Sequence, residues 1–528
     1  MSGITRRQFS KRIVGSIAAA STAANWFGSS FSRAVAQDTH GADYLANLSL
    51  TEAAAQIRAG KVTSTQLTQA CLERIQIYNP KVDAYITVLK EQSLTHAAQL
   101  DNEQKQGKFR GPLHGIPIAL KDNIDTAGIR TTAASQVYDD RVPTEDAEVT
   151  KRLAAAGAVF IGKANLDEFA DAISYFGSVR NPWALDRDPS GSSSGSAAAV
   201  ATNLAYGALG TDTGGSVRLP SAYCGVVGIK PTYGLVPIRG IVPLAVSLDH
   251  CGPITRTVDD AALMLNQLAG YDKYDFTSVL HPKEDYVAAV QQPISDLRIG
   301  IPRAPFYDYA DKDTASALET AIAVLSKMTK SIHDVSLPST AAYSWLGLHD
   351  IGYEVYAYHE ELFKERQARY GLALRLQLQA MKDELNASGS SASAKVSDYI
   401  RHRWELETLR RVVDDAFTDF DLVVVPTLRI TPTKLTYMID REENPKPHSP
   451  EPVDLDNCTP FNIFGLPAIS IPCGFSREGL PIGMMIAGPH FSEGKILALA
   501  RAYELATKWD QRRPPLTPDT PVPAIRPS

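Results

Sequence analysis

The sequence predicts an α/β fold: a single large α/β/α layered domain with a central mixed β-sheet flanked by helices, plus a mostly helical insertion. Three observations predict it. Short apolar runs suited to buried strands alternate with capped, helix-like segments, the pattern of a layered α/β domain. From about Asp311 to Phe417 the reading is mostly helical. Strand-forming segments on either side of that stretch look like parts of one sheet.

In chain order, "SLTE" at Ser49 to Glu52 is a capping box that opens a helix ending at Gly60. "TSTQ" at Thr63 to Gln66 opens a second, expected to stop at Asn79-Pro80. "GIPIALK" (115–121) and "AVFIGK" (158–163) are short enough and apolar enough for buried strands, with the helix-like "DAEVTKRLAAAG" between them. The Ala-rich "SAAAVATNLA" (196–205) reads as a helix beginning just beyond a serine run, and strand-like "YGALGT" follows it. The helical stretch is broken by "NASGSSASAK" (386–395), and a strand signal returns at "DLVVVPT" (421–427). A polar, Pro-rich loop, "DREENPKPHSPEPVD" (440–454), precedes two further strand candidates, "PAISIPCGF" and "PIGMMIAGP". The tail from Arg513 is Pro-rich and expected to run extended over the surface.

Composition bounds the function. The chain has 528 residues, 44% apolar and 21% charged, and shows no repeat at solenoid periods. Its first 36 residues stand apart: Arg6 and Arg7 precede a mildly apolar stretch that ends in Ala34-Val35-Ala36. A charged segment, an apolar segment and an A-x-A site form an export signal, and the arginine pair resembles the twin-arginine type. The expected division is residues 1–36 as signal and 37–528 as the folded domain, with a helical insertion at about 311–417. The expected location is periplasmic or secreted, with the export machinery as the partner of residues 1–36. Removing those residues takes the formal charge from −6 to −11, which argues against nucleic acid as a partner. The five cysteines, Cys71, Cys224, Cys251, Cys458 and Cys473, are widely spaced with no C-x-x-C, so neither a disulfide nor a zinc framework is indicated. Cys71 shares an apolar stripe with Leu67 and Ile75 and reads as core. No His/Cys/Asp/Glu cluster has ligand spacing, so no metal and no cofactor are expected.

Chemistry concentrates in two polar runs. "DPSGSSSGSAAAVA" packs five serines between Ser190 and Ser196. Gly191 to Gly195 fits G-x-S-x-G with Ser193 as nucleophile, but that motif needs a strand in front, and "NPWALDRDPS" has two prolines and three charges. Downstream, "LGTDTGGSVRLPSAYCGVVGIKP" (209–231) sets Gly214-Gly215-Ser216 after a strand-like segment. Paired glycines let successive N–H groups approach an oxyanion. Asp212 and Arg218 flank the turn and are placed to pair and hold it. Alone, this is also how a Gly-Gly turn with a solvated serine reads.

Read together with Lys121 at the end of an apolar strand, these runs resemble the amidase signature family. "GPLHGIPIALKDNID", "PSGSSSGSAAAVA", "GTDTGGSVRLPSAYCGVVGIKPTYGLVP" and "SLDHCGPITRTVDDAA" look like its blocks, in order, with a weaker likeness at "NIFGLPAISIPCG". The likeness spans nearly all of the chain after residue 36 except the 280–420 region. It implies a Ser–cis-Ser–Lys triad of Lys121, Ser192 as bridging serine and Ser216 as nucleophile. The separation of 24 residues between the two serines agrees with the family's. It also implies an oxyanion hole from the backbone of Thr213, Gly214, Gly215 and Ser216, with Asp212, Arg218 and Ser193 in support. Ser190 and Ser194 stand where the family has glycines, while Gly191 and Gly195 are kept.

The implied activity is an exported serine amidohydrolase acting on a small-molecule amide, with esters and carbamates open to the same acyl-transfer chemistry. One alternative is the glutamine-hydrolysing A subunit of an amidotransferase, which makes ammonia from glutamine; a more remote one is a G-x-S-x-G α/β-hydrolase esterase. Tyr343, Trp345, Tyr353, Tyr356 and Tyr358 are candidates to line the pocket, although aromatic residues packed in a helical core would read the same way.

Overall fold

The computed structural model describes residues 41, 43–338, 348–386, 390–444 and 457–525. One eleven-stranded sheet organises them: β1 (Tyr85–Val88), β2 (Pro117–Lys121), β3 (Val159–Ala164), β4 (Gly207–Asp212), β5 (Val227–Lys230), β6 (His250–Thr255), β7 (Arg298–Ile301), β8 (Ser331–Asp334), β9 (Leu422–Pro426), β10 (Ala468–Phe475) and β11 (Pro481–Ala487). Their spatial order is β1-β3-β2-β4-β6-β5-β10-β11-β9-β7-β8. β2 runs parallel to both β3 and β4, β7 runs parallel to β8 and β9, and the centre, including the β10–β11 hairpin, is antiparallel. The sheet is therefore mixed and flanked by helices, the layered α/β fold that the alternating pattern predicts.

Most strands are buried along their whole length, β2, β4, β9 and β11 at every residue, which is why they appear in the sequence as unbroken apolar runs. One large cluster built on Leu50, Ile118, Leu209, Ile254 and Ile469 and a second on Val423, Val425, Phe461 and Met485 fill the space about the sheet. The helix Ser194–Ala201 is buried at all its positions, and small side chains let it lie against β4. All five cysteines are buried and free. Among the described residues no helix is long and apolar enough to cross a membrane.

Several boundaries differ from expectation. The helix opened by the Thr63 capping box runs from Ser64 to Val82, through Pro80. Pro80 sits in the last turn, where only one helical hydrogen bond is lost, and Asp83 closes the end with its N–H on Asn79 O at 2.8 Å. The Ala-rich helix starts at Ser194, inside the serine run rather than beyond it. The 311–417 stretch contains β8, so its beginning belongs to the sheet; the helices Leu348–Arg366, Leu372–Asn386 and Ser390–Val412 form the insertion proper. Ser390 lies within the segment expected to break the helices. The loop expected from residue 440 begins as helix, since Leu435–Glu443 is helical; residues 445–456 lie outside the described set, as do residues 1–40 with the expected signal. Val355, Tyr356, Phe363, Tyr370, Leu374 and Leu378 of the insertion share a cluster with Ala133, Phe169 and Ala172, which docks the helices over one end of the sheet.

Candidate active site

β2 and β4 are parallel neighbours, so Lys121 and Asp212, their last residues, emerge at the same end of the sheet. Lys121 is fully buried. Its Nζ donates to Ser192 Oγ and to Thr211 Oγ1, each at 2.8 Å, and Asn123 Nδ2 donates to the same Thr211 hydroxyl at 3.2 Å. Burial draws the lysine down from 10.5 to about 7, against the fields of Asp167, Asp212 and Asp249, which raise it. A neutral amine is thus accessible near neutral pH. Lys163, at the end of β3, is equally buried but differently placed. It donates to Ile124 O and Thr131 Oγ1 at 2.7 Å and lies 3.5 Å from the Asp122 carboxylate. Its hydrogen bonds go to a carbonyl and a threonine, not to the serine run.

The serine run divides its hydroxyls between two tasks. The Gly191–Ser192 peptide is cis, and Ser192 Oγ accepts from Lys121. A Cβ on Gly191 would fall 2.0 Å from Asp167 Oδ2, so only glycine fits beside that carboxylate. Ser190, in place of a family glycine, adopts φ 60, the left-handed region that costs a side chain free energy. Ser193 is fully buried; its Oγ donates to Thr211 O at 3.1 Å and lies 3.2 Å from Thr211 N, which donates to it. Its N–H donates to Ser216 O at 3.2 Å. Ser196 Oγ donates to Leu209 O at 2.9 Å. Ser193 and Ser196 therefore pin the run to β4. With its hydroxyl engaged on both sides and no strand leading into the turn, Ser193 has none of the exposure that a nucleophile elbow requires.

The loop after β4 carries Ser216. Gly215 has φ 138, and a Cβ there would meet Cys458 Cβ at 2.7 Å, so the turn needs glycine twice over. Ser216 is half-buried. Among the described residues the N–H groups of Gly214, Gly215 and Ser216 donate to no protein group, the condition of an anion cradle. Thr213 Oγ1 donates to Asp249 Oδ1 at 2.5 Å. Beneath the loop, Arg218 meets both oxygens of Asp212 at 3.0 Å, and Val217 N adds a third bond to that carboxylate. Asn462 joins the pair, accepting from Arg218 at 2.5 Å and donating to Asp212 Oδ1 at 2.8 Å. Although burial raises Asp212, the Arg218 charge and hydrogen bonds prevail and hold it well below the usual carboxylate range. Beside them Lys230 donates to Leu466 O at 2.7 Å and lies 3.2 Å from His250 Nε2. Burial pushes both groups well below their ordinary values. His250 Nδ1 is 2.6 Å from Leu248 O, so this nitrogen carries the proton and Nε2 accepts from the lysine.

Ser192 and Ser216 line one cavity of about 510 Å³, walled also by Leu166, Ile173, Leu219, Met438 and Ile439. No hydrogen bond joins the two serines among the described residues. The structure thus brings Lys121 into contact with Ser192 and sets Ser216 in the same cavity. Among the described residues, no aromatic residue of the insertion lines that cavity. Tyr353 and Tyr356 line a separate one of about 250 Å³, Tyr358 pairs with Tyr138 at 2.9 Å between hydroxyls, and Tyr343 and Trp345 lie outside the described residues. Among the described residues no group of three or more His, Cys, Asp or Glu could hold a metal ion. Sequence reasoning missed Thr211, Asp167 and Asn462. Thr211 stands inside the quoted glycine-rich block and Asn462 opens the C-terminal one, so both lay within the signal without being singled out.

Comparison with known proteins shows the family and the fold. A family model for Amidase matches residues 66–497. The A subunit of the glutamyl-tRNA(Gln) amidotransferase of Carboxydothermus hydrogenoformans is 39% identical over 491 residues, covering 89% of this chain and 99% of that protein. The native peptide amidase of Stenotrophomonas maltophilia superposes with a TM-score of 0.74 at 34% identity, covering 90% of this chain and 99% of that chain. The A subunit of the glutamyl-tRNA(Gln) amidotransferase of Thermotoga maritima superposes with a TM-score of 0.69 at 32% identity, covering 92% and 99%.

The Asp212–Arg218 pair sets a stability expectation. Asp212→Asn leaves the Arg218 guanidinium buried without its counter-charge, a loss of about 3–5 kcal/mol. Urea unfolding should show a midpoint lowered accordingly. A midpoint equal to that of the parent would mean that the pair is not what holds the loop.

Proposed function

The chain belongs to the amidase family, and from that premise we propose that it hydrolyses a carboxylic amide to an acid and ammonia or an amine through an acyl-enzyme on Ser216. The observation that carries this reading is the 2.8 Å bond from a buried, readily neutral Lys121 to Ser192 in a cavity shared with Ser216. Lys121 as base takes a proton from Ser192, and Ser192 takes one from Ser216. The Ser216 oxygen attacks the carbonyl, and the N–H groups of the Thr213–Ser216 turn receive the oxyanion. The relay then reverses to protonate the departing nitrogen, the C–N bond breaks, and water releases the acid from the serine.

A second reading has specific support. Curated relatives carry the name of the A subunit of a glutamyl-tRNA(Gln) amidotransferase, and that likeness favours a polypeptide that frees ammonia from glutamine for partner subunits. The two readings differ in place as well as substrate. With the arginine pair read as an export signal, the free-standing amidase is periplasmic or secreted, whereas charged tRNA is cytoplasmic. An Arg6→Lys/Arg7→Lys chain should stay uncleaved inside the cell while the parent matures outside it. Normal maturation of the double variant would remove the twin-arginine reading, and a parent chain that stays uncleaved inside the cell would remove the export reading.

A fluorophosphonate should label Ser216 and leave Ser192 and Ser193 unmodified. Ser216→Ala should abolish labelling and turnover, while Ser192→Ala and Lys121→Ala should each lose orders of magnitude in kcat. Because both interrupt one proton path, the double variant should be little worse than either single one. Labelling of Ser193, with Ser216→Ala still active, would overturn the assignment.

The lysine must be neutral to act as base, and its proton leaves at about 7. The value of kcat/KM should therefore climb as pH rises through that region and flatten above it. A rate that falls over the same interval is incompatible with Lys121 as the base.

A further inference from the structure

The turn 167–172 carries one side chain that the relay does not use. Phe169 and Ala170 both have positive φ, at 50 and 67, and the turn closes with Asp171 N on Glu168 O at 3.0 Å. It is fixed from two sides. Phe169 is wedged against His359 and Tyr370, with ring centroids at 4.4 and 5.8 Å. Glu168 accepts from Ser135 Oγ at 2.5 Å on the core side and from Gly371 N at 2.9 Å on the insertion side. Ala170 and Ala172 are buried, while Asp171 between them is accessible and lines the cavity of Ser192 and Ser216. Its position is therefore built rather than incidental.

The partner of Asp171 is the side-chain amide of Gln377, which also lines the cavity. A neutral amide donates a hydrogen bond but does not cancel a charge. Among the described residues lining the cavity there is no lysine, arginine or histidine. Leu166, Ile173, Leu219 and Met438 form the apolar part of the wall, and of the three carboxylates that line the cavity Asp167 and Asp188 are half-buried while Asp171 is exposed. A cavity with carboxylates, apolar sides and no described cation suits a ligand that brings its own positive charge on an aliphatic chain, and Asp171 is the carboxylate most open to it.

We propose that this cavity selects amides bearing an aliphatic ammonium group, seated on Asp171, which is the specificity-determining residue. The inference rests on the hydrolytic reading of Ser216 only for its kinetic test. The reaction is otherwise unchanged: the C–N bond of the amide breaks, water supplies the hydroxyl of the acid, and the ammonium remains a spectator.

The experiment compares Nα-acetyl-L-lysinamide with Nα-acetyl-L-norleucinamide, which lacks only the ammonium. The purified full chain should hydrolyse the lysine derivative with a kcat/KM at least about 10-fold above that of the norleucine derivative, the scale of one hydrogen bond to a charged group. Asp171→Asn should bring the lysine-to-norleucine ratio below about 3-fold, and Asp171→Glu should retain the preference. Titration calorimetry of the same pair on Ser216→Ala separates the two layers of the argument. Tighter binding of the lysine derivative there, lost in Asp171→Asn/Ser216→Ala, supports the cation site even if no amide is turned over, in which case the hydrolytic reading alone fails. Equal affinity for the two amides, or a preference that survives Asp171→Asn, overturns the proposal. Should Asp171→Asn fail to fold, Asp171→Ser takes its place, and absence of any cation preference in the parent chain overturns the proposal without a variant.

Discussion

Everything at this site depends on a lysine buried among hydroxyls instead of against a carboxylate. An ammonium taken out of water must be compensated by an opposite charge or must lose its proton. The molecule contains both solutions side by side. Lys163 lies 3.5 Å from Asp122. Lys121 has Ser192 and Thr211 as its hydrogen-bond partners, and the nearest carboxylates act on it only as a more distant field. Two hydroxyls satisfy the amine without stabilising its charge, so desolvation prevails and the neutral form comes within reach. The parallel pairing of β2 with β4 creates this arrangement, because it delivers the strand-end lysine and Thr211 to the same place.

A reactive lysine is useful only if the serine loop keeps its shape, and that shape is held from far along the chain. The Asp212–Arg218 pair is completed by Asn462 and by the carbonyl of Cys458, about 240 residues on. The Lys230–His250 contact anchors the neighbouring strands to Leu466. Glycine at 215 is fixed by the same C-terminal segment, since Cys458 occupies the space a Cβ would need. The segment 458–466, just ahead of the C-terminal hairpin, is thus part of the foundation of the candidate site.

These dependencies mark how far the sequence could be read. Strands buried on both faces announce themselves, and β2, β3, β4, β9, β10 and β11 all stand where apolar runs predict them. β6, "HCGPIT", has a histidine, a glycine and a proline in six residues and carries no such run; it is a strand because β4 and β5 pair with it. β8 has four residues with two exposed, too little to interrupt a helical reading. Lys121, Ser192 and Ser216 were legible because the blocks around them resemble a family. Thr211 and Asn462 act through contacts 90 and 250 residues long, which no local pattern encodes. Of the aromatics offered for the pocket, Tyr356 and Tyr358 pack in the insertion's cluster, as the helical-core reading has it, and only the packing shows which cavity Tyr353 and Tyr356 border.

The division of labour in the cavity follows from its construction. Its reactive floor comes from strand ends and the two serine loops, all tied to the sheet. Part of its wall comes from the insertion, through Ala373 and Gln377, and that wall is latched to the core at Glu168, which accepts from Gly371 N. Burial, with a smaller push from the neighbouring Asp171, raises the Glu168 carboxyl to about 7, against the Ser135 and Gly371 hydrogen bonds, which lower it. Burial thus favours a protonated Glu168, so the group's contribution to stability is present at low pH and declines as pH rises through the folded value, while the bond from Gly371 N favours the carboxylate. Lys121, the proposed base, loses its proton over the same interval. Floor and wall respond separately because no residue of the insertion touches Lys121 or Ser192 among the described contacts. Substrate choice can then change by substitution in the insertion while the proton relay stays intact.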